Sequence, residues 1–97
     1  MIVVRFTFTC KPGVEWYQFI DLCKQTRAAL PDLTVRIYTS HMLSTPGWTI
    51  ILEEEVENLA AAEQVQKRFW AKPENVELGN KMMAIFQSSE TSFWDLH

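Results

Sequence analysis

Two kinds of periodicity divide this chain into seven segments. Apolar and polar residues alternate from Ile2 to about Cys10, which predicts a half-buried strand at the start. A helical spacing follows from Val14 to about Ala29, and two alternating segments then flank a turn at Ser44–Gly47. Helical sequence leads finally to a short aromatic strand, Thr91 to Leu96. This order predicts one antiparallel sheet with helices on a single face, which leaves the other face open.

Capping residues define the elements in the middle of the chain. The two strands of the hairpin are predicted over Leu33 to Tyr38 and Trp48 to Glu53. Asn58 is a good N-cap for a helix from Leu59 to about Trp70. Pro73 is typical of the first turn of a further helix. Two helical segments therefore separate the third strand from the last.

Composition narrows the class of protein. The 97 residues are expected to form one domain, residues 1–97, and the net charge of −3 without a basic stripe argues against a nucleic-acid partner. No segment approaches the ~20 apolar residues that cross a bilayer, and no signal peptide is apparent, so we expect a cytoplasmic protein with no membrane contact. Cys10 and Cys23 are predicted to be reduced, mostly buried thiols. Neither a metal site nor a cofactor is expected.

Several short motifs carry a resemblance to a known group of proteins. They are Lys11-Pro12-Gly13, the acidic strand end Leu52–Glu55, the segment Glu57–Glu63, Lys72-Pro73-Glu74, and Phe93-Trp94. With these features the chain resembles the dimeric α/β-barrel group of ferredoxin-like proteins, which includes NIPSNAP-like domains and antibiotic-biosynthesis-type monooxygenases. The resemblance implies an α+β, ferredoxin-like βαββαβ fold with sheet order 4-1-3-2. It also implies a homodimer that joins two open sheet faces, and a pocket in each subunit between its sheet and helices.

Strand parity indicates which residues could line that pocket. Four side chains are expected to lie close together at one end of the helix-covered face, namely Cys10, Thr39, His41 and Trp48. Trp16 and Tyr17, at the start of the first helix, should cover them. Apolar walls with a few polar groups are typical of small-molecule sites. The leading hypothesis is therefore a homodimeric domain that binds a small apolar or aromatic molecule.

Two other functions remain open at this point. The first is a cofactor-independent monooxygenase acting on an aromatic or quinol substrate, with His41 as the base and Tyr38 or Thr39 positioning the substrate. The second is a purely structural dimerisation module, its pocket filled by its own aromatic residues. The sequence carries no catalytic signature that decides whether the protein is an enzyme.

The open face of the sheet has its own candidate cluster. Pairing the apolar residues of the second and third strands on the covered face requires that the two residue numbers of each cross-strand pair add up to an odd number. Arg36 then faces Ile51 or Glu53. A central third strand would also bring Arg5 towards Glu53 from the other side. We therefore predict an Arg5–Glu53–Arg36 cluster at the dimer interface, with the pKa of Glu53 lowered. The acidic run as a whole, Glu53 to Glu57, is interpreted as a solvated strand end.

Overall fold

The computed structural model describes residues 1–40 and 48–97. The elements are β1 (Ile2–Cys10), α1 (Trp16–Ala28), β2 (Val35–Thr39), β3 (Thr49–Val56), α2 (Leu59–Trp70), α3 (Pro73–Ile85) and β4 (Phe86–Asp95). The predicted turn at Ser44–Gly47 and the candidate base His41 lie outside the described residues. No helix within the described ranges is long and apolar enough to cross a membrane.

The four strands form one sheet in the order β2-β3-β1-β4, with every neighbouring pair antiparallel. This is the order 4-1-3-2 named from the opposite edge, so the predicted topology is confirmed. Arg36 pairs with Glu53 across β2 and β3, and Arg5 pairs with the same residue across β1 and β3. The predicted parity and the central position of β3 are therefore confirmed.

Helix boundaries follow the local capping chemistry. The Asn58 side chain accepts a hydrogen bond from the backbone N–H of Ala61 at 2.8 Å, so Asn58 caps α2 as predicted. Pro73 occupies the first turn of α3, where its missing N–H is not needed. The first helix begins two residues later than predicted because Glu15 forms its N-terminal cap, with the backbone N–H of Glu15 donating to Gln18 Oε1.

The last strand corrects the sequence-based prediction. It begins at Phe86, directly after α3, and runs for ten residues instead of covering only Thr91 to Leu96. Its polar middle shows no alternation of apolar residues, because most of its side chains are exposed on both faces. Backbone pairing along β1, with a bulge between Thr9 and Cys10, holds this edge strand in place.

The helices cover one face of the sheet and bury two clusters of apolar side chains. Phe19 and Cys23 of α1 are fully buried against Phe8, Cys10 and Ile50 of the sheet. The Phe8 and Phe19 rings lie 4.9 Å apart between centroids in a tilted arrangement. A second cluster joins the ends of β1 and β3 to α2 and consists of Val4, Val56, Ala62 and Val65. These clusters fix the helices over β1, β2 and β3, and the helix side of β4 is left largely uncovered.

Candidate functional site: a cavity between sheet and helices

Two of the predicted ligand residues come together in the core. Cys10 is fully buried, and its backbone N–H donates to the carbonyl oxygen of Trp48 at 2.8 Å. Burial raises the pKa of the Cys10 thiol, and burial together with the nearby Cys10 raises the pKa of Cys23 to about 12. Both thiols are free, and both stay protonated at neutral pH, which makes them poor nucleophiles.

The other predicted ligand residues lie apart from one another. Trp16 and Tyr17 form an edge-to-face pair in the first turn of α1, and both are exposed to solvent. Tyr38 lies on the open face of the sheet, where its hydroxyl donates to Glu53 Oε1 at 3.1 Å. Thr39 is half-buried and pairs with Ile50. None of these residues lines the cavity described next.

A cavity of about 270 Å³ lies between the sheet and the helices α2 and α3, towards the β4 edge. Its walls are mostly apolar, because the helix side of the sheet meets the buried faces of both helices there. The lining residues that matter below are Phe6, Phe8, Glu54, Gln66, Trp70 and Thr91. A concave, mainly apolar space with a few polar groups has the composition expected of a small-molecule site.

Glu54 lies on the sheet side of this cavity and overturns the interpretation of the acidic run as a solvated strand end. It is only 3% exposed, and Glu53 on the opposite face is only 4% exposed. Glu54 pairs with Val4 of β1 and Val35 of β2, in the central strand of the sheet. Because alternate strand residues share a face, Glu54 lies on the same helix-covered face as Ile50 and Leu52.

The Glu54 carboxyl has no protein partner within residues 1–40 and 48–97. None of their side-chain hydrogen bonds or ion pairs involves it. Burial alone raises the pKa of this carboxyl to about 7, because the charged form loses its hydration without gaining a compensating contact. Near neutral pH the group is therefore divided between its protonated and ionised forms. A titratable carboxyl in an apolar cavity is typical of functional sites.

The cavity continues into an adjoining cleft along β4. The two share Phe6, Glu54, Gln66 and Thr91, and the cleft adds Glu63 of α2 and Phe93 of β4. The ionisable side chains among the described lining residues are both glutamates. The electrostatic potential of the combined space is consequently negative whenever Glu54 is ionised.

Trp70 forms one wall of the cavity by lying across α3 at Gly79. Its indole N–H donates to Gln66 Oε1 at 3.2 Å, and its ring is so close to Gly79 that a Cβ there would overlap it. Glycine is otherwise unfavourable inside a helix, by about 1 kcal/mol relative to alanine. The close approach of Trp70 therefore explains why a residue without a side chain occupies position 79.

We predict that Gly79→Ala lowers the free energy of unfolding by about 1–3 kcal/mol, because the indole ring must leave its place. In a Trp70→Ala background the same substitution should instead stabilise the protein by about 1 kcal/mol through helix propensity. Urea unfolding of the four variants of this cycle measures both values. The same sign in both backgrounds would contradict the proposed packing.

The open face carries the predicted ionic cluster. Arg5 Nη2 lies 2.6 Å from Glu53 Oε2, and Arg36 Nε lies 3.3 Å from Glu53 Oε1. Arg36 also binds Glu55 Oε1 through Nη1 at 2.7 Å. Burial disfavours the ionised form of Glu53, but hydrogen bonds from Arg5, Tyr38 and Arg36 outweigh it, so the pKa of Glu53 is lowered. The predicted contacts of Glu53 with both arginines are present and the pKa of Glu53 is lowered as expected, while the location of this cluster at a dimer interface stays a prediction.

An aromatic residue of β4 extends this cluster. Trp94 lies opposite Val3 of β1, and the guanidinium carbon of Arg5 is 5.2 Å from the centre of its ring. The Trp94 side chain is nevertheless 53% exposed. The position of Trp94 on the open face does not follow from the sequence pattern, which gives no register for β4.

Comparison with known proteins rests on structure. No family model matches the sequence, and no curated protein matches it. A NIPSNAP domain protein from Burkholderia xenovorans superposes with a TM-score of 0.78 at 12% identity, over 100% of this chain and 95% of that one. A dimeric protein of unknown function with a ferredoxin-like fold, from Bacteroides fragilis, gives 0.62 at 16% identity, over 98% and 96%. The fold is ferredoxin-like.

The cofactor-independent oxygenase SnoaB from Streptomyces nogalater shares this ferredoxin-like fold. It superposes with a TM-score of 0.65 at 12% identity, over 99% of this chain and 92% of that one. The expected likeness to NIPSNAP-like domains and antibiotic-biosynthesis-type monooxygenases is thus confirmed in three dimensions. At these identities the likeness establishes the ferredoxin-like fold and leaves the chemistry to be argued from the site.

Proposed function

We propose that this protein is a homodimer that binds a small, mainly apolar or aromatic molecule in the cavity between sheet and helices. The observation that carries the proposal is the unpaired Glu54 carboxyl inside an apolar cavity. A domain needing only a filled core would gain stability from an apolar residue there, because burying an unpaired ionisable group is costly. The retained carboxyl is best explained as the polar contact for a ligand.

A neutral fluorescent probe, N-phenyl-1-naphthylamine, tests binding directly. We expect saturable fluorescence enhancement, and a Kd raised about tenfold or more by Thr91→Trp, which would fill the entrance shared by the cavity and the cleft. Asp95→Trp is the control, because Asp95 belongs to the same strand but lines neither space. An absence of saturable binding would favour the structural dimerisation module instead.

The homodimer is proposed to form through the open face of the sheet. Support comes from the exposed Trp94 beside Arg5 and from the partly exposed arginines around Glu53, which leave this face amphipathic. Such a mixture of aromatic and arginine side chains is enriched in protein interfaces. The Bacteroides fragilis protein of the same fold is described as dimeric. Light scattering on the eluting peak of a size-exclusion column measures the mass directly.

A second candidate function is a cofactor-independent oxygenase in which Glu54, in place of His41, is the base. The favouring observation is a mainly apolar cavity lined by a carboxyl whose pKa is raised to about 7. With anthrone as substrate, Glu54 would remove a proton from the methylene carbon. Dioxygen would then supply one oxygen atom to the new carbonyl group of anthraquinone and one to water. Equal oxygen consumption by the wild type and Glu54→Gln would rule out this role.

A further inference from the structure

We propose that the cavity selects ligands bearing an amine, whose ammonium group pairs with the Glu54 carboxylate, while the apolar remainder of the ligand fills the cavity. This inference rests on the proposed binding function and specifies its ligand class. The pair would form on the sheet side of the cavity, where Glu54 is 3% exposed and has no partner among the described residues.

The first argument comes from the cost of an unpaired buried carboxylate. A carboxylate that has lost most of its hydration is stable only when a cation or several hydrogen bonds replace the lost water. Residues 1–40 and 48–97 provide neither to Glu54, whereas they provide two arginines to Glu53 on the opposite face. The missing partner of Glu54 is therefore a group that the ligand can bring.

The second argument comes from the charges around the cavity. Glu63 of α2 is the other titratable side chain on the described walls of the cavity and its cleft, and no lysine, arginine or histidine lines the described part of either space. An anionic ligand would meet only negative charge there. A cation gains chiefly from the Glu54 carboxylate, because Glu63 already pairs with Lys67 Nζ at 3.9 Å. The aromatic side chains of the wall, Phe6, Phe8 and Trp70, offer apolar contact to the rest of the ligand.

Pairing with an ammonium group also predicts a proton release. The raised pKa of Glu54 leaves the group largely protonated at pH 6, and a bound cation lowers that pKa again. Binding at pH 6.5 should thus release most of a proton from Glu54 to the buffer, and binding at pH 8 almost none. Affinity for the amine should rise about thirtyfold from pH 5.5 to pH 8.

Three naphthalene derivatives of matched shape test the inference by isothermal titration calorimetry. They are 1-naphthylmethylamine, 1-naphthylmethanol and 1-naphthoate. We expect the amine to bind at least tenfold more tightly than the alcohol at pH 7.5, and the naphthoate most weakly. Repeating the titration in buffers of different ionisation enthalpy measures the number of protons released.

Two variants separate the outcomes. Glu54→Gln should remove the preference for the amine and the proton release while the alcohol still binds, and Glu63→Gln, at an exposed position on α2, should preserve most of both. Equal affinities for amine and alcohol, or a preference that survives in Glu54→Gln, would overturn the inference and leave small-molecule binding intact. If none of the three compounds binds, the inference is overturned, and the proposed function fails with it if N-phenyl-1-naphthylamine does not bind either.

Discussion

The free energy of unfolding should fall by about 3 kcal/mol between pH 4.5 and pH 8 at a fixed protein concentration, because of Glu54 alone. Burial raises the pKa of this carboxyl from 4.5 to about 7 in the folded protein. Between those values the folded state binds more protons than the unfolded state, so stability decreases as the pH rises. Each unit of the pKa difference contributes about 1.4 kcal/mol, and the loss is complete above pH 7.

Urea unfolding of the wild type and Glu54→Gln across this pH range checks the effect. The free energy of unfolding of Glu54→Gln should not decrease over this pH range. The variant should be more stable than the wild type at pH 8, since a neutral amide replaces a buried charge. Glu63→Gln is the matched control, because Glu63 is exposed and should leave the decrease in place. Glu53 has the opposite effect and acts at lower pH. Because its pKa is lowered in the folded protein, its ionised form stabilises the protein above about pH 4.5, and this stabilisation is lost on further acidification. A wild-type curve flat from pH 4.5 to pH 8 would contradict the burial of Glu54.

The second large effect concerns the dimer that we propose. Glu53→Gln should raise the dimer dissociation constant more than a hundredfold, since unpairing charges within a buried interface costs about 3–5 kcal/mol. The lower end of that range applies, because Arg36 keeps its contact with Glu55 whereas Arg5 loses its carboxylate. Sedimentation equilibrium over a dilution series measures the constant.

Glu54→Gln is the matched control for the dimer as well. Glu54 is the next residue of the same strand, but its side chain lies on the helix-covered face, so the dissociation constant should change little. If both variants dissociate equally, the open face of the sheet is not the interface. A wild type that is monomeric at all concentrations would exclude the dimer itself.

The fold could be predicted because its determinants are local and periodic. Alternation assigned β1 and β3 to the correct faces, and Asn58 and Pro73 marked helix starts that the structure confirms. The faces of β2 and β3 alternate residue by residue, and matching their apolar faces restricts which residues can pair. For this reason the pairing of Arg36 with Glu53 was predictable. The edge strand β4 was predicted too short because backbone pairing, rather than side-chain burial, holds its polar half.

The site was harder to predict because it depends on how the helices cover the sheet. Charge led us to interpret the acidic run as solvated, although parity alone places Glu54 beside Ile50 and Leu52. Nothing local shows that α2 and α3 leave a space next to Glu54, since that space depends on packing such as that of Trp70 on Gly79. The aromatic residues at the start of α1 resemble pocket residues in the sequence, but Trp16 and Tyr17 are exposed to solvent in the structure.

Glu53 and Glu54 are adjacent in sequence, yet within the described part of the chain Glu53 pairs with two arginines and Glu54 with no cation. A one-residue slip of β3 would exchange their faces, turning Glu53 towards the helices and Val56 outwards. In one direction of slip it would also place Leu52 opposite both arginines. Mispaired forms of the sheet would thus be penalised by charge as well as by hydrophobicity. A single-residue insertion near position 53 should therefore prevent folding, whereas an insertion after β4, beyond Asp95, should be tolerated.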